Sequence, residues 1–258
     1  MGRQITLVGA NGAVFDVAGS PAAEGVRIRK GGLPNLGARL SPRVVEPIGY
    51  GGGRVLRGRA RVNPIDGTLG LQIRGVDAPS LYREVMGCFD HEAPAIIRQV
   101  DGDRVIELEV HLADGQSIEP AESLPEGHHL VNMDVPIVVH RGCWVESHVV
   151  KATSVTVDNT GPVEVIPSIE WTAGGDVVMP SGAKFTLPTV PEKRVLSLDL
   201  AESYPVTDAA GVLDRSLYKQ IRGRVVLAET VPPGATRTYT LPAGASLAYK
   251  VGVKNQWV

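Results

Sequence analysis

Short apolar–polar alternations, each closed by a turn rich in glycine, proline, asparagine or aspartate, recur along this chain, and that punctuation admits few folds. Successive side chains of a strand point to opposite faces, so period-two alternation marks strands with one face buried. The clearest run is Val105 to Leu112, with Ile106, Leu108, Val110 and Leu112 on one face and Glu107, Glu109 and His111 on the other. Its antiparallel partner is expected at Ala95–Val100, joined through Asp101-Gly102-Asp103. Arg54 to Arg74 reads as a second hairpin. Leu56, Ala60 and Val62 share one face, Leu69, Leu71 and Ile73 continue it, and Asp66-Gly67 supplies the turn signal between them. Further strands are expected at Gln4–Val8, Leu130–Arg141, Val149–Asp158, Val163–Trp171, Arg194–Leu200, Thr236–Leu241 and Ser246–Val253.

One helix stands out against this background. From Pro79 to Phe89, Leu81, Val85 and Phe89 recur at four-residue steps with Tyr82 and Met86 beside them. Asp77 and Pro79 provide start chemistry, and a weaker helical or turn segment is expected near Ala209–Gln220. Strands flank the helix before residue 150. After it, Pro and Gly punctuate every eight to twelve residues, the spacing of a β-sandwich. The expected division is therefore 1–150 and 151–258.

Composition narrows the function classes. At 258 residues and 43% hydrophobic content the chain has core enough for one large or two ordinary domains. A net charge of -2 gives no global pull toward nucleic acid or an anionic membrane. No apolar run approaches the ~20 residues of a membrane helix, and no signal peptide is visible at the N-terminus. Cys88 and Cys143 read as buried thiols, with a single disulfide as the alternative.

Motifs that carry chemistry are weak throughout. His128 and His129 with Asp134 invite a metal reading, but adjacent strand residues face opposite ways and do not converge. Gly49-Tyr50-Gly51-Gly52-Gly53 precedes a strand rather than a helix, which suits a loop tip better than a phosphate cradle. No Gly-x-Ser-x-Gly elbow anchors a hydrolase triad. Glu107 and Glu109 form an ordinary solvated pair in the plain reading. No catalytic residue, metal or cofactor is expected, and no enzymatic activity.

Arginine placement is more informative. Arg57, Arg59 and Arg61 share a strand face, and Arg74 is expected opposite them across the hairpin. Like charges in a row repel unless something neutralises them. A solvated outer face is the plain reading. The functional one is a subunit interface, with guanidinium forks meeting carboxylates of a neighbour such as Glu107 and Glu109; nucleic-acid contact is a third reading, weakened by the lack of interleaved aromatics for base stacking. Among the aromatics, Trp144, Trp171 and Trp257 are core or interface anchors. An exposed Trp171 over a concave sheet would instead stack on a sugar.

Three stretches carry a resemblance. Thr156-Val157-Asp158-Asn159-Thr160-Gly161-Pro162-Val163-Glu164-Val165-Ile166-Pro167 runs strand, Asn-x-Gly turn, strand, proline. Arg194-Val195-Leu196-Ser197-Leu198-Asp199 is a strand ending in Leu-Asp. Val231-Pro232-Pro233-Gly234-Ala235 leads to the close Asn255-Gln256-Trp257. Together they resemble the C-terminal part of siphophage distal tail proteins and actinophage minor tail proteins. The arginine-rich hairpin and single helix of the first half fit that family more loosely. The resemblance implies a mainly β chain: an N-terminal β-sandwich-like, ring-forming domain with one short helix, then a C-terminal galectin-like β-sandwich. It further implies a virion structural protein at the distal end of the tail, a hexameric ring joining tail tube to tail tip. Its partners would be the tail tube protein, the tape measure protein and the tail-tip or baseplate hub, with no sequence-specific nucleic-acid binding and no membrane insertion. A carbohydrate-binding module contacting host cell-wall glycan is the alternative.

Overall fold

The computed structural model describes residues 3–18, 24–33, 36–45, 54–55, 61–115, 130–222 and 229–254. The fold is mainly β, and the described residues hold two short helices. The chain divides into two compact units, residues 1–146 with 253–258, and residues 147–252.

The first unit opens with β1 (Gln4–Val8), β2 (Val14–Ala18) and β3 (Gly25–Ile28). Four short strands follow: β4 (Arg39–Ser41), β5 (Val44–Val45), β6 (Arg54–Val55) and β7 (Arg61–Asn63). Then come β8 (Ile65–Arg74), α1 (Ala78–Met86), β9 (Ala95–Asp101), β10 (Arg104–Leu112) and β11 (Leu130–Val139). β12 (Trp144–Val150) leads the chain out of this unit.

Strands pair as β2-β1-β9-β10 on one side and β3-β8-β11 on the other. The last residues of β10, His111 and Leu112, cross to pair with Val138 and Ile137 of β11, so the two ladders share β10 and enclose one core. The β9–β10 hairpin closes as the alternation predicts: Asp101 faces Arg104, and the turn glycine Gly102 takes φ +63°. Ile106, Leu108, Val110 and Leu112 all face inward. Tyr82 and Val85 of α1, with Phe89 beyond it, close this core. Each fully buried Leu, Ile, Val or Phe here stabilises the unit by about 1.5–3 kcal/mol before entropy is counted.

The expected turn at Asp66-Gly67 does not form. Both residues lie inside β8, which runs unbroken along β11 with Asp66 facing Val138 and Gly67 facing Ile137. The inward set Ile65, Leu69, Leu71 and Ile73 continues the same alternation through the dipeptide. Ten paired positions against β11 outweigh a two-residue turn preference. The chain instead bends ahead of β8, because β7 pairs with β4 and β8 with β3 and β11.

The second unit comprises β13 (Ser154–Asp158), β14 (Ser168–Trp171), β15 (Gly175–Val178), β16 (Lys184–Leu187), β17 (Arg194–Ser197) and β18 (Val206–Asp208). α2 (Arg215–Arg222), β19 (Thr236–Thr240) and β20 (Ser246–Val253) complete it. One sheet is ordered β13-β19-β15-β16, and the facing ladder runs β18-β17-β14-β20. Both contribute to one core: Val157, Phe185 and Tyr239 from the first, Ile169, Trp171, Leu196 and Leu247 from the second. That is a two-layer β-sandwich.

Asn159 pins one corner of this sandwich. It is fully buried, and its amide nitrogen donates to Val163 O at 2.8 Å and Val231 O at 2.7 Å. Its Oδ1 accepts from the Gly161 amide at 3.0 Å. Gly161 itself lies against the Gly252 backbone, where a Cβ would meet Gly252 O at 2.3 Å.

Candidate functional site

The described members of the expected site set lie on separate elements: Arg61 on β7, Arg74 at the end of β8, Glu107 and Glu109 on β10, and Trp171 on β14. Among the described residues, no three His, Cys, Asp or Glu side chains form a metal-binding group. Asp134 is ion-paired with Arg29 on the outer surface of β8 and β11. His128, His129 and the glycine cluster at 49–53 lie outside the described residues. The imidazoles of His111 and His140 do approach, with ring centroids 5.0 Å apart, and His111 Nδ1 lies 3.3 Å from His91 O.

Cys88 and Cys143 are both free and buried. Burial pushes each thiol up to about 11, with Glu84 adding to the effect at Cys88, while Arg141 works against it at Cys143. Neither is a thiolate at neutral pH, so neither is a nucleophile.

Trp171 is 1% exposed, and its indole N–H donates to Pro188 O at 2.9 Å. It packs in the sandwich core beside Ile169 and Phe185 and offers no face to a ligand. The sugar-stacking role considered for this residue is therefore ruled out by its position.

The described parts of the arginine-bearing segment pair in two short antiparallel ladders. β4 pairs with β7, placing Arg39 opposite Asn63, Leu40 opposite Val62 and Ser41 opposite Arg61. β5 pairs with β6 further along, Val44 opposite Val55. Every residue from Arg39 to Val44 is exposed, including Leu40 at 43% and Val44 at 50%. Arg61 is exposed on β7, whereas Arg57 and Arg59 lie outside the described residues. Across 39–63 the sequence places six arginines, one glutamate and no lysine. Arg74 does not join them: it ends β8, opposite Gly25 of β3 and Leu130 of β11.

Glu107 and Glu109 lie on the outer face of β10, half-buried, as the alternation predicts. Glu107 accepts from Arg98 Nε at 2.9 Å across the β9–β10 ladder, so one of the expected carboxylates already has a cationic neighbour within its own chain. The same outer face, shared by β1, β9 and β10, is unusually apolar for an outward surface. Val8, Ile96 and Val100 are half-buried there and Val105 is 39% exposed. The sequence carried that signal, since these positions fall out of the polar phase of each strand.

No family profile and no curated protein matches the sequence. Solved structures do match over nearly the full length of the chain. A chain from the phage P2 baseplate in its activated conformation with calcium superposes with a TM-score of 0.58 at 13% identity, covering 99% of this chain and 100% of its own. The strontium form of that baseplate gives 0.58 at 11% identity, with the same coverage of both chains. The SPP1 Dit protein, described as a paradigm of the hub adsorption apparatus in phages infecting Gram-positive bacteria, gives 0.51 at 10% identity, covering 98% of this chain and 100% of its own. At this identity the likeness is one of fold, and it spans both units.

Proposed function

We propose that this chain is a distal tail protein, a non-enzymatic structural component of a phage tail tip whose copies assemble into a ring between the tail tube and the tip apparatus. Three structures of baseplate or hub proteins share its fold from end to end. The observation that carries the oligomeric part is this pair of short ladders. A lone two-stranded ladder is marginal in water, and here residues 39–44 are exposed on both faces with leucine and valine among them. Such a segment gains its stability from a surface supplied by another subunit. Arginine without lysine suits a fixed protein contact, where a planar fork pairs bidentately with carboxylate.

On this reading the first unit forms the ring, with six copies the expected number, and Arg57, Arg59 and Arg61 belong to its subunit contacts. The second unit is the appended galectin-like sandwich. The tail tube, tape measure and tail-tip hub proteins are the partners. Mass photometry and negative-stain imaging of the purified chain test the proposal: a closed ring of defined mass supports it, and a chain that stays monomeric at micromolar concentration refutes it.

A further inference from the structure

We infer that His111 and His140 form a two-imidazole clip for a divalent transition metal, with zinc as the type ion, where the two ladders of the first unit join. The clip lies within one copy of the chain, so it stands whether or not the copies form a ring.

The backbone brings the two rings together. His111 pairs with Val138 across the β10–β11 junction, and His140 follows two residues after Val138. Residues two apart on a strand point to the same side, which makes His111 and His140 diagonal neighbours. Their ring centroids are 5.0 Å apart and their planes are tilted by 60°. Two imidazoles bound to a tetrahedral ion at Zn–N distances of ~2.0–2.1 Å also have centroids about 5 Å apart. The observed separation matches that of two ligands sharing one ion.

His111 is also held in the form a metal requires. Its Nδ1 lies 3.3 Å from His91 O. A carbonyl only accepts, so Nδ1 carries the hydrogen and the neutral ring keeps its lone pair on Nε2. Metal-binding histidines are commonly oriented in this way, by donating the other ring N–H to a backbone carbonyl. The loop that supplies the carbonyl is itself fixed. Leu112 N donates to Asp90 O at 2.9 Å, and His91 Nδ1 donates to Leu112 O at 3.2 Å. The Asp90 carboxylate lies within electrostatic reach of His91 and His111 and favours a cation beside them. Among the described residues no third His, Cys, Asp or Glu joins the pair, so water completes the coordination. Imidazole ligands select zinc, nickel or copper over calcium and magnesium, which seek oxygen. A bound ion would tie β10 to β11 where their ladder consists of His111–Val138 and Leu112–Ile137, and so would stabilise the first unit by mass action.

The test titrates the full chain with zinc chloride by isothermal calorimetry, with near-ultraviolet circular dichroism confirming that each variant is folded. Wild type should bind zinc and gain Tm as zinc is added, and calcium should not displace the ion. His140→Ala changes an exposed position, and His111→Asn keeps a side-chain donor for the His91 carbonyl. Each should weaken zinc binding at least ~10-fold and remove the gain in Tm. His148→Ala, in the second unit, should leave both unchanged. Histidine-selective nitrogen NMR should show the Nε2 resonances of His111 and His140 moving together. A wild type that binds no zinc overturns the inference. So does zinc binding that survives both substitutions at full affinity, which would place the ion on other side chains. Displacement by calcium, or a resonance shift confined to one of the two rings, overturns the clip as well.

Discussion

Replacing Asn159 isolates what one buried amide contributes to the second unit. In Asn159→Ala the Val163 carbonyl and the Gly161 amide lose their partners, whereas Val231 O keeps the Val165 amide at 3.0 Å. At ~1–3 kcal/mol for each stranded buried group, the loss is about 2–6 kcal/mol. That is a large fraction of the roughly 5–15 kcal/mol a domain has in total. Asn159→Asp separates hydrogen bonding from shape, because it keeps the volume and the acceptor for Gly161 but aims carboxylate oxygens at two carbonyls. Both the burial and those carbonyls disfavour the anion, so the folded-state value rises above the ~3.9 of an unfolded aspartate. Below ~4 the acid is neutral in both states, and its hydroxyl can donate to one of the two carbonyls. As pH climbs from there toward the raised folded value, stability falls by about 1.4 kcal/mol per unit. Urea unfolding followed by tryptophan fluorescence, at pH 4.5 and 7.5, reads the effect directly. The aspartate variant should lie nearest wild type in acid and fall away toward neutrality. A deficit that does not change with pH, or an alanine variant within 1 kcal/mol of wild type, would refute the assignment of Asn159 as the pin of this corner.

Other positions give equally direct outcomes. A methyl on Gly70 would sit 2.4 Å from Arg29 Nε and 2.9 Å from Gly32 Cα. Gly70→Ala should therefore cost about 1–3 kcal/mol, read as a lowered Tm. The thiols of Cys88 and Cys143, raised to about 11 by burial, should resist an aromatic disulfide reagent at pH 8 until the protein is denatured. Asp214 accepts the Leu217 amide and the Ser216 hydroxyl at the start of α2 and also the Arg194 guanidinium, and these bonds hold it down at about 2. A depressed carboxylate stabilises the fold above its unfolded value near 4 and loses that contribution as pH falls toward 2. Asp214→Asn should flatten this part of the acid-unfolding profile.

Where one face of a strand meets a core, the sequence was sufficient. β1 and β20 occupy the residues that alternation assigns, and the β9–β10 hairpin closes on its glycine. Helix α1 likewise falls where its apolar spacing puts it, though Asp77 at its N-cap makes no side-chain capping bond. Errors arose where long-range pairing overrides a local signal. Asp66-Gly67 is a strong turn pair by composition, yet β11 holds it in an extended ladder. The single strand expected over Val149–Asp158 is two: β12 has a ladder with β10, β13 pairs with β19, and exposed Lys151, Ala152 and Thr153 turn between them. Period two reports which face is buried and is blind to which sheet buries it.

The same blindness limits what alternation says of outward faces. Alternation assigns outward positions to solvent, so Ile96, Val100 and Val105 register only as departures from the polar phase. Glu107 shows how a chain can answer its own charges, since Arg98 across the ladder meets it without any neighbour. In the β4–β7 ladder the pairs are Leu40 against Val62, Ser41 against Arg61 and Arg39 against Asn63, none of them an opposite-charge pair. Among the described residues, this pairing leaves exposed Arg39, Arg43 and Arg61 beside exposed Leu40 and Val44. On the proposed oligomeric reading, such a surface is the half of an interface that a second copy completes.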